Sequence, residues 1–286
     1  MADNSNVTLP SAADSRPAPP WLTVRRGAAP LVLSIPHSGL EIPQQIEQTL
    51  RSGWLARCDT DWYVERLYDF ATDLDATIVR TGLSRTVIDV NRDPSGRSLY
   101  PGQATTELCP TMSFDGDPLY QPGTQPSPEQ IAARTGAYFR PYHDALAAEL
   151  TRLTSLYGQV VLYDCHSIRS RIPRLFAGDL PHLNLGTNSG ASCAAKLREQ
   201  IVRVCAESAF THVVDGRFKG GYITRHYGRP TEGVHALQME LACRAYLHER
   251  PGAVHPHDWP PPYDAEHAQP LRGVLRRILE ACLALV

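Results

Sequence analysis

Two apolar, strand-like runs, LVLSIPHSG at residues 31–39 and QVVLYDCHS at 159–167, stand out along the chain. Continuous aliphatic and β-branched stretches of this length read as strands buried on both faces of an α/β sheet, and each run ends on a histidine followed by a serine. Shorter β-type runs follow at ATIVRT (76–81), TVIDVNR (86–92), LNLGT (183–187), THVVD (211–215) and HALQMELA (235–242). The last is read as a strand, although its apolar run would also suit the start of a helix. Between them the period changes. Residues 54–72 set Trp62, Leu67 and Phe70 among charges at near-helical spacing, which predicts an amphipathic helix. SPEQ at 127–130 has a serine cap, a proline in the first turn and a glutamate behind it, so it opens a long helix that stops before Gly158. Further helices are expected over about 190–209 and 269–286. Strands and helices alternate without an internal repeat, which predicts an α/β protein: a three-layer αβα sandwich around a mixed, mostly parallel sheet.

The segments between these elements differ in kind. Residues 1–22 are rich in Pro, Ser, Ala and Asp and read as a flexible tail, leaving 23–286 as a single domain. Residues 93–126 carry Pro, Gly, Asp and Thr with little periodicity. A loop that long inside a compact domain is usually functional, which marks it as a lid or binding loop.

Composition narrows the function classes. The chain has 286 residues and 42% hydrophobic content, enough for a sizeable core. Its 28 basic and 30 acidic residues give a net charge of −2, so nucleic acid is not an expected partner. No apolar stretch approaches the roughly 18 residues of a membrane span. The N-terminus lacks the basic and apolar regions of a secretory signal. Seven cysteines without a CxxC pair argue against both a disulfide framework and a zinc finger. A reducing cytoplasm is the expected compartment; the oligomeric state is not legible.

In open α/β sheets ligands bind beyond the carboxyl ends of the strands, so His37 and His166 are expected at one rim. Each could be a hydrogen-bonded histidine at a strand end. As a pair they also suit a metal, because imidazole is the commonest side-chain ligand. A catalytic zinc keeps three protein ligands and one open position. CDTDWYVE offers Asp59, Asp61 and Glu65 as the third, with Asp61 favoured at the start of the predicted helix, where one of the two aspartates would serve as the cap. Glu240 is anomalous among the apolar neighbours of ALQMELA. A buried carboxylate needs a partner or a raised pKa, which suits either a salt bridge or a general acid–base. Asn91 and Arg92 end VIDVNR, and arginine's planar fork matches a carboxylate. Arg85, Arg169, Arg171, Lys219, Arg225 and Arg229 follow other predicted strands, suggesting a small anionic substrate, two or three of them at most contacting it. Gly220 and Gly221 beside Tyr222 would let the backbone approach a ligand. GxSxG, Walker A and GxGxxG motifs are absent. Cys165 next to His166 reads as a small core residue, since neighbours on a strand face opposite ways.

Taken in order, several motifs resemble the N-formylglutamate amidohydrolase (N-formylglutamate deformylase) family. They are PHSG (36–39), DTDWYVERLYDF (59–70), VIDVNRDPSGRSLYPGQATTELCPT (87–111), PLY (118–120), DCHSIRS (164–170), NLGTNSG (184–190) and GRFKGGYITRHYGRP (216–230) followed by HALQMEL. The likeness runs from about residue 30 to the C-terminus. It implies hydrolysis of N-formyl-L-glutamate to L-glutamate and formate in bacterial histidine degradation. It also implies a zinc-carboxypeptidase-like (phosphorylase/hydrolase-like) fold. The histidine–acid–histidine set of that wider group maps onto His37, Asp61 and His166, with zinc as the expected cofactor, and its late-strand glutamate maps onto Glu240. Asp59, Glu65 and Glu41 compete with Asp61 for the third ligand position. By the same resemblance Asn91 and Arg92 bind one substrate carboxylate; among the cations of the other loops, Arg85 or Arg225 is expected to hold the second and Arg169 to stabilise the oxyanion. Two other functions remain: a metal-dependent deacylase of another N-acyl amino acid, and a catalytically silent binding protein for acidic amino acids.

Overall fold

The computed structural model describes residues 19–97, 102, 105–250, 252 and 254–285. Seven strands form one sheet: β1 (Leu22–Arg25), β2 (Leu31–Ile35), β3 (Thr77–Thr81), β4 (Val160–Ile168), β5 (Leu183–Gly186), β6 (His212–Val214) and β7 (Val234–Ala242). Their spatial order is β1-β3-β2-β4-β7-β5-β6. The central strands β3, β2, β4 and β7 are parallel, whereas β1 and β5 run antiparallel to their neighbours β3 and β7. Every residue of β2, β4 and β7 is buried, as their mainly apolar sequences predict.

Helices α1 (Gln44–Glu47), α2 (Val64–Leu67), α3 (Pro128–Arg134), α4 (Arg140–Tyr157), α5 (Ala195–Ala206), α6 (Tyr222–Tyr227) and α7 (Ala265–Leu283) complete the fold. Alternate residues of the central strands feed two cores, as the two-residue period of a strand requires. Leu33, Ile35, Tyr163 and Met239 pack with Leu197 and Ile201 of α5 and Leu275 and Ile278 of α7. Val32, Leu162 and Ala236 pack with Tyr142, Leu146 and Leu153 of α4 on the other face. The result is the expected α/β fold, a three-layer sandwich about a mixed, mostly parallel sheet. Ser127 and Gln130 form a capping box at the start of α3, and α4 ends at Gly158 in the left-handed conformation.

Two expected elements take another form. Residues 54–72 are not one helix but a short 3-10 turn (Leu55–Arg57), α2, and a second 3-10 turn (Asp69–Thr72). Tyr63 has a φ of 61°, and the Asp61 N–H donates to the His37 carbonyl at 3.0 Å, so the chain bends at that point to meet the end of β2. Residues 86–92 pair with no strand. The Asp89 N–H donates to Leu108 O, while Arg134 and His143 donate to Val87 O and Val90 O. Side chains thus satisfy the carbonyls that a neighbouring strand would otherwise take, and Val87, Ile88 and Val90 are buried all the same. Most of the tail expected over 1–22 lies outside the described residues, while Leu22 opens β1.

Candidate active site

After β2 the chain passes to β3 on one side and, later, to β4 on the other, so the carboxyl ends of β2 and β4 flank a switch in strand order. That is where a ligand crevice forms in sheets of this kind. His37 lies two residues beyond β2 and His166 near the end of β4, with ring centroids 4.8 Å apart. Both are buried, and ligand atoms of His37, Asp61 and His166 lie within 4.8 Å of one another. The bend at Tyr63 delivers the third member. Asp61 Oδ2 sits 3.0 Å from His166 Nδ1 and 3.7 Å from His37 Nδ1.

The far side of each ring is equally specified. His37 Nε2 is 2.7 Å from Asp89 Oδ1, and His166 Nε2 is 2.9 Å from Asp164 Oδ2. A carboxylate at such a distance accepts, so His37 Nε2 carries a proton; His166 Nε2 is shared between Asp164 Oδ2 and Asn91 Nδ2, both at 2.9 Å, and the Nδ1 atoms of both rings face Asp61. Each carboxylate is braced in turn. Arg85 Nη2 donates to Asp89 Oδ2 at 2.7 Å, and its Nη1 reaches Asp61 Oδ1 at 3.5 Å. Ser34 Oγ donates to Asp164 Oδ1 at 2.8 Å, and Asn91 Nδ2 donates to Asp164 Oδ2 at 3.0 Å.

The electrostatics suit a cation. Burial works to raise the Asp61 pKa, but His37 and His166 more than offset it and hold this carboxyl below its usual range. Burial alone would lower His166, yet the Asp164 and Asp61 carboxylates raise it well above an ordinary imidazole. The site therefore draws a proton to the place where a metal would supply positive charge. His37 Nδ1 is buried and has no hydrogen-bond partner among the described residues, an arrangement a metal ligand would relieve. Two histidines braced by carboxylates and one aspartate form a sound donor set for a divalent ion.

Glu240 stands beside His166 in the β4/β7 register and lines the same cavity. Burial pushes its pKa up to about 8, with the Asp61 and Asp164 charges adding to the rise and His166 and Arg85 opposing it. Gln238 Nε2 donates to Glu240 Oε2 at 3.0 Å, and Gln238 Oε1 accepts from the Gly221 N–H at 2.7 Å. Gly221 is required there, since a Cβ would fall 2.5 Å from the Asn91 amide.

The expected site residues divide into groups. His37, Asp61, His166, Glu240 and Arg92 meet at or directly beneath one cavity. Arg85 reaches it too, but its guanidinium is occupied by Asp89 and Asp61. Asn91 lines the cavity and is also a strut: it accepts from the Ile223 N–H through Oδ1, and its Nδ2 donates to Asp164 Oδ2 and lies 2.9 Å from His166 Nε2. Arg169 is drawn away to Asp59 and Asp115, at 3.3 and 2.7 Å. Arg225 Nε donates to Gly220 O and does not line the cavity. Asp59 accepts from the Phe114 N–H, and neither it nor Glu65 or Glu41 joins the two histidines.

Sequence reasoning missed Asp89, Asp164 and Arg217. The two aspartates had a usable signal. Asp164 precedes His166 by two residues on a strand, so both face the same way. Asp89 is a carboxylate between Ile88 and Val90, the same anomaly that marked Glu240. Arg217 has no comparable signal.

A family model described as N-formylglutamate amidohydrolase matches residues 29–247. The chain is 45% identical over 264 residues to an N-formylglutamate deformylase of Pseudomonas putida, covering 92% of this chain and 96% of that one. It is 44% identical over the same length and coverage to an N-formylglutamate deformylase of Pseudomonas aeruginosa. Among solved structures, an N-formylglutamate amidohydrolase from Ralstonia eutropha JMP134 superposes with a TM-score of 0.73 at 22% identity, covering 93% of this chain and 99% of that one. A gene product of Agrobacterium tumefaciens gives 0.67 at 17% identity, covering 92% and 94%. Both share the fold. The chain belongs to the N-formylglutamate amidohydrolase family, and so to the hydrolases that cleave linear amide carbon–nitrogen bonds.

Proposed function

We propose that this enzyme hydrolyses N-formyl-L-glutamate to L-glutamate and formate with the help of a divalent metal, zinc being the expected ion. One observation carries the metal dependence: His37 Nδ1 and His166 Nδ1 converge on Asp61 Oδ2 beside a cavity that both histidines and Glu240 line. The substrate follows from the two deformylases that match nearly the whole chain. A role in histidine degradation goes with that substrate, as the family resemblance implies.

His37, Asp61 and His166 would hold the ion, which would supply Lewis acidity toward water and the formyl carbonyl. Asp89 and Asp164 hold the two rings by their Nε2 atoms, which leaves both Nδ1 atoms facing Asp61. Glu240, whose pKa burial raises to about 8, takes a proton from the attacking water as the C–O bond forms. It returns that proton to the leaving nitrogen as the amide C–N bond breaks, so glutamate departs as its amine and the formyl carbon leaves as formate. Arg92 offers its guanidinium to a substrate carboxylate; Thr106 Oγ1 accepts from its Nη2 at 2.9 Å and Asn91 O from its Nη1 at 3.2 Å, which orient it.

Formate release from N-formylglutamate, measured with metal content on the same sample, tests this reading. Turnover that tracks metal occupancy supports it. Acetylglutamate cleaved faster than formylglutamate would move the enzyme to another acyl group. Tight binding of glutamate without formate release would leave a silent binding protein.

A further inference from the structure

A substrate with two carboxylates presents two negative charges, and one cationic contact, Arg92, is assigned above. Arg85 is clamped between Asp61 and Asp89, and Arg225 lies off the cavity lining. The lining does contain another guanidinium, that of Arg217. It sits on the segment between β6 and α6, which is pinned at both ends. At the β6 end the Asp215 carboxylate accepts from the N–H groups of Thr187 and Ser189, at 2.7 and 3.2 Å, and from Thr187 Oγ1 at 2.5 Å. At the α6 end Gly221 is held by Gln238 and packed against Asn91. Gly220 has a φ of +105°, and a Cβ on Gly186 would fall 2.5 Å from the Gly220 nitrogen, so the segment lies tight on β5. A segment anchored in this way presents its side chains in fixed positions, the preorganisation that binding sites require.

We propose that Arg217 is the specificity-determining residue that receives the side-chain carboxylate of the substrate, selecting N-formyl amino acids with an acidic side chain. The inference rests on the deformylase reading above. Arg217 Nε donates to the Leu175 carbonyl at 2.9 Å, and its guanidinium lies 5.3 Å from the centre of the Phe218 ring. Leu175 and Phe218 also line the cavity and pack on the small core of Phe114, Ile168 and Ile172. A carboxylate drawn to Arg217 therefore brings the methylenes behind it against apolar side chains. That combination fits an acidic side chain carried on a short aliphatic stem. The α-carboxylate, common to all N-formyl amino acids, falls to Arg92.

The test compares kcat/KM for N-formylglutamate and its neutral isostere N-formylglutamine, using the metal-loaded wild-type enzyme, Arg217→Met and Arg217→Lys. Wild type should prefer the glutamate compound by roughly 10²-fold, the scale of a charge-assisted hydrogen-bond pair. Arg217→Met should bring the ratio close to one, by loss on the glutamate side. Arg217→Lys, which keeps the cation without the planar fork, should restore part of the preference. Arg92→Met should lower both substrates together. Equal losses on both substrates in Arg217→Met, or a wild-type enzyme indifferent between them, would overturn the assignment while leaving the deformylase reading intact. A wild-type enzyme that releases no formate from N-formylglutamate would sink both. If Arg217→Met does not fold, the lysine variant decides: a reduced or lost glutamate preference supports the assignment, and a preference equal to wild type in a side chain that lacks the fork overturns it.

Discussion

His37 and Asp89 lie 52 positions apart in the chain, yet His37 Nε2 donates to Asp89 Oδ1 at 2.7 Å and so turns Nδ1 toward Asp61. Asp89 takes up this role because its segment is not a strand. Freed from a ladder, residues 86–92 direct Asp89 at the histidine and Asn91 at Asp164. Burial opposes ionisation of Asp89, but His37, Arg92 and Arg85 outweigh it and hold its pKa well below the ordinary range. Asp89→Asn should therefore weaken metal binding by about 10–100-fold, the usual loss when such an outer partner is removed. Competition with a chromophoric chelator measures it, and unchanged affinity would strip Asp89 of this role.

Glu240→Gln should keep the metal and lose roughly 10²–10⁴-fold in kcat, the scale of a positioned acid–base group. Gln238 would still find an acceptor in the glutamine carbonyl, so the fold should survive. Near-normal turnover with full metal occupancy would remove Glu240 from the chemistry.

Arg169 illustrates how far the sequence carries. The arginine-rich loop after β4 suggested an oxyanion contact, but the guanidinium is committed to Asp59 and Asp115. Burial pushes the Asp59 carboxyl up, with Arg169 acting against that rise. Arg169→Met should thus cost about 3 kcal/mol of stability by leaving Asp59 buried without its cation, while kcat per folded molecule stays within a few-fold of wild type. Denaturant unfolding beside turnover of the same sample separates the two effects. A large fall in kcat with normal stability would return Arg169 to the reaction.

The elements that could be read from sequence are those whose signal is local. β2, β4 and β7 are buried on both faces and carry mainly apolar runs, and α3 opens on a capping box. Both histidines and Glu240 were legible because each interrupts or ends such a run. Tertiary ties decided the rest. The break in residues 54–72 comes from a backbone bond between Asp61 and His37, and residues 86–92 escape strand pairing through Arg134 and His143. Neither partner is near in sequence. Arg217 is one arginine among many until the fold places it on the cavity wall.

His143 predicts how stability depends on pH. It is buried, donates through Nε2 to Val90 O at 2.8 Å and lies 3.0 Å from the Tyr227 hydroxyl through Nδ1. Burial lowers its pKa from 6.5 to about 4. The unfolded chain takes up the proton first, so this contribution is complete above pH 6.5 and is lost as pH falls toward 4. It amounts to on the order of 3 kcal/mol. Urea unfolding of wild type and His143→Gln across this window should show curves that converge as pH falls. Curves that stay parallel would contradict the buried neutral imidazole.

If His37, Asp61 and His166 hold a metal on which formate release depends, metal and activity should disappear and return together. The most direct measurement is formate release from N-formylglutamate by the purified enzyme before chelation, after chelation and after zinc is restored, with metal content determined at each stage. Activity should be lost with the ion and return at about one zinc per chain, and Asp61→Ala should neither retain zinc nor recover activity. A protein that remains fully active when free of metal would contradict the account.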